Sequence, residues 1–175
     1  PMTGIAPLRE AVNQKISALY GHHYDPASEI TITAGGTQGI FTVIACAINP
    51  GDEVIVPAMT AVPTASSVCA VGARPVIVDI DHETAALNLD LVEQAMTERT
   101  QAVIAVHLYG RPVDNLDKLT NMGVKIVEDC AQSHGAKYNG QMVGSLGDIS
   151  CFSFYPTKNL GCYDDGGAIC TNNKE

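Results

Sequence analysis

No clustered run of lysine and arginine occurs in this 175-residue sequence; 10 basic residues face 19 acidic ones, and the formal net charge is −9. Nucleic acid and anionic membrane surfaces are recognised through clustered positive charge, so neither is an expected partner. A phosphorylated small molecule remains compatible, because backbone N–H groups and one or two side chains can hold it. The longest strongly apolar stretch, near Ile40 to Ile48, is far too short to span a bilayer. Pro1-Met2-Thr3-Gly4 lacks the charged start and apolar run of a signal peptide. Six scattered cysteines form no CxxC pair and read as reduced thiols of a cytoplasmic protein. The histidines show neither HxxxH nor HExxH spacing, so no metal site is expected, and His22-His23 read as solvated in a polar link. Walker and GxGxxG loops are also missing.

What is present is ordinary for one soluble globular domain: 46% apolar and 17% charged residues, in a chain long enough to bury a core. Helical and strand patterns alternate. An amphipathic helix is predicted over 7–20, with Leu8, Val12, Ile16 and Leu19 at the helical period, Pro7 in the first turn and Gly21 at the stop. A strand at 30–33 leads through Gly35-Gly36-Thr37 into a helix with Ile40, Phe41, Ile44 and Ile48 on one side. Further strands are predicted at 53–56, 75–78, 102–106 and 124–127, with helices at 62–71, 90–96 and 114–120 between them. Asn139-Gly140 marks a hairpin, and strands at 149–154 and 167–171 follow with no helix between them. Runs such as Val-Ile-Val and Val-Ile-Ala-Val are the pattern of strands covered on both faces. The expected fold is therefore α/β, with a mostly parallel sheet of about seven strands and helices on both faces.

Ligands in such sheets bind beyond the carboxyl ends of the strands. Three groups fall there. Glu128-Asp129 follows the strand at 124–127, where a carboxylate is costly unless a cation pairs with it; a helix cap or an exposed turn is the plainer alternative. Gln132 and His134 lie just beyond. Ser153 and Lys158 bracket a strand end beside Phe152, Phe154 and Tyr155. A lysine desolvated by such neighbours has a lowered pKa and can attack an aldehyde, whereas a solvated surface lysine is the common case. Gly35-Gly36-Thr37 opens a helix, where amides and a hydroxyl form a phosphate site or simply a capped turn. Together a phosphate cradle, an acid and an amine nucleophile are the parts that pyridoxal 5'-phosphate (PLP) needs.

From Gly51 onward the sequence resembles the DegT/DnrJ/EryC1/StrS sugar aminotransferases. The matching stretches are GDEVIVPAMT, GARPVIVDID, AVHLYG, KIVEDCAQSHGAKYNGQMVGSLGDISCFSFYPTKNLG and DGGAICTN. The resemblance implies the large domain of PLP fold type I, spanning 1–175, with the C-terminal small domain of full-length members absent. It implies that Lys158 holds the cofactor covalently and that Asp129 pairs with the pyridine nitrogen. Gln132 would lie near the ring hydroxyl and Ser153 on the phosphate. PMTGIAPLREAV and EITITAGGTQGIF instead resemble class I/II aminotransferases, in which Gly36 and Thr37 inherit a phosphate contact. That switch of signature motivates a crossover between two subfamilies near 51–56, with natural divergence as the alternative; one family matching both halves would remove the crossover. Ala61 stands where sugar aminotransferases often carry an aromatic residue on the ring.

By the same resemblance the chain is an aminotransferase, taking an amino group from a glutamate-like donor to a nucleotide-linked keto sugar, and a homo-oligomer such as a dimer. A PLP-binding core without turnover, a PLP-dependent sugar dehydratase and a chimeric scaffold are the other readings.

Overall fold

Six apolar strands aligned in one direction, with one reversed, organise the protein. They are seen in a computed structural model that describes residues 3–21 and 23–171. The strands are β1 (Ile30–Thr33), β2 (Glu53–Pro57), β3 (Arg74–Val78), β4 (Thr100–Val106), β5 (Lys125–Asp129), β8 (Ile149–Ser153) and β9 (Gly167–Thr171), in the order β1-β9-β8-β5-β4-β2-β3. β9 is antiparallel to both neighbours, and the remaining pairs are parallel. The carboxyl ends of β1, β2, β4, β5 and β8 therefore share one edge. A small hairpin of β6 (Lys137–Tyr138) and β7 (Gln141–Met142) stands apart, turned by Asn139 and Gly140 with φ of 48° and 84°, the left-handed pair of a tight hairpin turn.

Strand alternation divides the core into two layers. Val54, Val56, Ile104 and Val127 pack with α2 (Gly36–Ala47) and α3 (Val62–Ala70). Ile55, Val103 and Ile126 pack with α4 (Leu89–Ala95) and α5 (Asp117–Thr120). On β1 and β9, α1 (Ala6–Tyr20) contributes Val12 and Ile16 to a smaller cluster with Tyr24, Ile30 and Cys170.

Several expectations are adjusted. β5 runs through Glu128 and Asp129 instead of stopping before them, because Asp129 pairs in register with Val106 and Cys151. α5 is one turn long: Asn115 adopts φ 56°, which prevents the helix from starting at 114. Phe41 points outward, 43% exposed, while Ile40 and Ile44 face the sheet. Not every Val-Ile-Val run is covered on both faces, since Ile77 on edge strand β3 is 60% exposed. Leu8 is also exposed, His23 is exposed, and His22 and the Leu19 side chain lie outside the described residues.

The amino-terminal edge of the sheet has its own anchor. Glu53 is buried yet accepts hydrogen bonds from Thr97 at 2.6 Å, Arg99 at 2.7 Å and Arg74 at 3.3 Å. These partners, Thr97 foremost, outweigh desolvation and hold its carboxyl below the ordinary glutamate value.

Ile104, fully buried in the interior strand β4, is expected to cost about 2–5 kcal/mol on replacement by alanine. Ile77→Ala on the edge is expected to change stability by less than about 0.5 kcal/mol. Denaturant titration of both variants checks the difference.

Candidate functional site

The shared strand edge brings together most of the residues singled out above. Asp129 ends β5 and is 5% exposed. Its Oδ1 accepts from the Ala131 N–H at 3.1 Å and its Oδ2 from the Thr64 hydroxyl at 3.4 Å. Burial pushes its pKa up, and these bonds, His107 and Lys158 only partly offset that. Among the described residues no basic nitrogen lies within ion-pair distance of it. The carboxylate is thus largely desolvated, oriented and short of a positive partner.

Beside it, β1 leads into α2 through Gly35, whose φ of 103° is left-handed territory that favours glycine. A Cβ on Gly36 would come within 2.8 Å of Ser153 Cβ, so the start of α2 presses directly onto the end of β8. The first amides of a 12-residue helix, with no partners inside the helix, and the Ser153 hydroxyl are therefore neighbours. Ser153 Oγ also accepts from the Tyr155 N–H at 3.3 Å. Thr37 is exposed in the first turn of α2. Together they offer a group of donors of the kind that can hold an anionic phosphate group.

Lys158 lies in the turn after β8, where its N–H donates to Tyr155 O at 2.8 Å. It is half-buried, and Tyr155, Pro156, Thr157 and Asn159 around it are exposed, so its surroundings are wetter than the aromatic sequence suggests. It stays within electrostatic reach of Asp129. Gln132 accepts from the Tyr109 N–H at 2.9 Å. That bond fixes Oε1 as the acceptor and leaves the amide NH2 as a donor. It also tethers a one-turn 3-10 helix (Leu108–Gly110), where Tyr109 has φ 57°.

Glu128 proves to have a different task from Asp129. Its neighbour faces Thr64, whereas Glu128 accepts from His107 Nε2 at 3.0 Å and from the N–H groups of Gly144, Leu146 and Gly147 at 2.6–2.8 Å. His107 Nδ1 accepts from Val113 N–H at 3.0 Å, which puts the ring proton on Nε2, pointing at the carboxylate. Burial alone would raise the Glu128 pKa; His107, Gly147 and Gly144 reverse that and hold it below the ordinary value. His107, Glu128 and Cys130 bring one potential metal ligand each within 4.8 Å. Both His107 nitrogens and both Glu128 oxygens are already engaged, so the cluster serves the fold instead.

The roles of His107, Glu128 and Thr64 were not separable in sequence. A histidine directly after an unbroken apolar strand was a signal for His107; nothing local marks Thr64. His134 packs on Phe152 and Phe154, with centroids 5.5 and 5.9 Å away, and burial lowers its pKa. It borders an apolar cavity of about 430 Å³ under α1, away from the Gly36–Ser153 cradle.

Glu128→Gln is expected to destabilise the protein by about 1–3 kcal/mol by exchanging an acceptor for a donor that faces other donors. The carboxylate's pKa is lowered on folding, so its contribution is present above the unfolded value and is lost as pH falls through the lower folded value. Thermal unfolding against pH should therefore show a flatter acid limb in the variant.

Known proteins resemble this chain over most of its length. The profile of the DegT/DnrJ/EryC1/StrS aminotransferase family matches residues 10–175. The chain is 49% identical over 146 residues to a UDP-N-acetyl-3-dehydro-alpha-D-glucosamine 3-aminotransferase of Acidithiobacillus ferrooxidans, covering 81% of this chain and 40% of that one. It is 42% identical over 159 residues to a dTDP-3-amino-3,4,6-trideoxy-alpha-D-glucose transaminase of Micromonospora megalomicea, covering 89% and 42%. Among solved structures, Streptomyces venezuelae DesV, in complex with a ketimine intermediate, superposes with a TM-score of 0.84 at 38% identity over 98% of this chain and 46% of that one. A Streptococcus pneumoniae protein in its PLP form gives 0.82 at 31%, over 98% and 47%. The chain thus spans less than half the length of these relatives. The family match crosses 51–56 without a break, so one family accounts for both sides and a crossover finds no support. No helix among the described residues is long and apolar enough to cross a membrane. The chain belongs to the DegT/DnrJ/EryC1/StrS aminotransferase family.

Proposed function

We propose that residues 1–175 form the cofactor-binding domain of a PLP-dependent sugar aminotransferase. The observation that carries it is Asp129: a nearly buried carboxylate with no contacting cation among the described residues, on the edge that also holds the Gly36–Ser153 cradle and Lys158. PLP offers a group for each. Its phosphate suits the amides of Gly36 and Thr37 and the Ser153 hydroxyl, its ring nitrogen suits Asp129, and its aldehyde suits the Lys158 amine. Gln132 has an amide NH2 to offer the ring hydroxyl.

Bound there, PLP would supply the electron sink that lets an amino group pass between carbon skeletons. Asp129 would hold a proton on the ring nitrogen, using a negative charge that burial makes strong. Lys158 would anchor the cofactor through Nζ and, once displaced by the amino donor, move a proton to and from the substrate carbon. The relatives' UDP- and dTDP-linked sugars support a nucleotide-linked keto sugar as acceptor, with a glutamate-like amino acid as donor. Six cysteines left free fit a cytoplasmic setting. Exposed Met59, in the loop after β2, and Val62, at the start of α3, suit a homo-oligomeric contact.

Borohydride treatment of the PLP-loaded protein is expected to leave a cofactor-sized mass increment on Lys158, and none in Lys158→Ala. An increment retained elsewhere in that variant would refute the assignment. Asp129→Ala is expected to weaken PLP binding by roughly tenfold or more, since it removes a charge-assisted partner. Without cofactor the sign reverses. The raised Asp129 pKa means that folded-state stability is lost as pH rises from the unfolded value through the folded one. Asp129→Asn should therefore melt higher than the cofactor-free parent at neutral pH.

A further inference from the structure

We propose that Thr64 is a positioning residue for Asp129: its hydroxyl, itself held by Thr60, directs an O–H at Asp129 Oδ2 and sets the carboxylate's plane toward a cationic ring nitrogen. The direction of the chain follows from proton counting. In the ionised form that pairs with a cationic ring nitrogen, the carboxylate only accepts, so Thr64 then donates its single hydroxyl proton across the 3.4 Å contact. The 2.8 Å contact between Thr60 Oγ1 and Thr64 Oγ1 must then be donated by Thr60. Thr60 is half-buried in the loop after β2, while Thr64 is fully buried in the first turn of α3. The two hydroxyls, one helical turn apart, lead from the surface to the acid.

Asp129 receives one donor on each oxygen. The Ala131 amide belongs to its own turn; among the described residues Thr64 is the donor from another element, 65 residues away in sequence, and it fixes the carboxylate relative to α3. Packing does not require a hydroxyl there, since valine has nearly the same shape. A buried hydroxyl is costly unless it is bonded, and this one is bonded on both sides. The titratable groups around Asp129 are His107 after β4, adjacent Glu128, Cys130 in its own turn, Cys151 on β8 and Lys158 beyond β8. Burial pushes both thiols up, so they stay neutral. From α3 the group facing Asp129 is the Thr64 hydroxyl, which favours the ionised form.

The inference rests on Asp129 being the partner of the ring nitrogen, and the experiment separates the two. Equilibrium PLP binding is followed by absorbance from acid to neutral pH for the parent, Thr64→Val, Thr64→Ser, Thr60→Val and Asp129→Asn. Thr64→Val is expected to bind about three- to tenfold more weakly, with its acid limb at higher pH, because an ionised-state donor is gone. Thr64→Ser should restore both, and Thr60→Val should show a smaller shift in the same direction. Parent-like affinity and acid limb in Thr64→Val, or a Thr64→Ser as impaired as Thr64→Val, would overturn the proposal. If Thr64→Val does not fold, a Thr60→Val acid limb coincident with the parent overturns it. An impaired Asp129→Asn beside a normal Thr64→Val removes only the role of Thr64; a parent-like Asp129→Asn removes the Asp129 reading as well.

Discussion

The Glu128 carboxylate holds the site end of the sheet together. An ionised acid with no exposed surface survives only when its lone pairs are filled, and here three backbone amides and an imidazole N–H fill them. Each donor belongs to a segment that would otherwise be a loose connection. Gly144, Leu146 and Gly147 lie between the small hairpin and β8. His107 heads the turn after β4, and its other nitrogen secures Val113. One side chain thereby fixes the approach to β8, which delivers Ser153, and the exit of β4, which delivers Tyr109 to Gln132.

Asp129, the next residue, shows how strand geometry divides labour. Successive side chains in a strand face opposite ways, so adjacent acids on β5 enter different surroundings. Glu128 meets fixed donors on every side and is driven toward its charged form. Asp129 meets one amide and one hydroxyl, and burial drives it toward the neutral form. The first arrangement stabilises the fold. The second stores a demand for positive charge, which a ligand can meet and the fold by itself does not.

Much of this was legible in the sequence, for physical reasons. Continuous apolar runs report burial on two faces, and turn residues such as Asn139-Gly140 report backbone needs, so the sheet and hairpin could be read locally. Gly36, Ser153 and Asp129 could be placed at strand ends because the βα alternation fixes which ends face alike. The register was less accessible. That β5 continues through its two acids depends on pairing with β4 and β8, which no local pattern encodes. The exposure of Ile77 reflects an edge position, set by strand order alone. Thr64 was invisible for the same reason: a threonine in the first turn of a helix looks like any capping or spacer residue until Asp129, 65 positions later, is brought against it.

The two ends of the sheet are anchored by different physics. Glu53 at one edge relies partly on Arg74 and Arg99, whose side chains are 69% and 63% exposed. Glu128 at the other relies on dipoles that carry no net charge, gathered around a carboxylate with no exposed surface. Mobile ions screen the first kind of attraction and barely reach the second. Rising ionic strength should therefore loosen the protein from the end remote from the cradle, leaving the site edge as the last part to feel the medium.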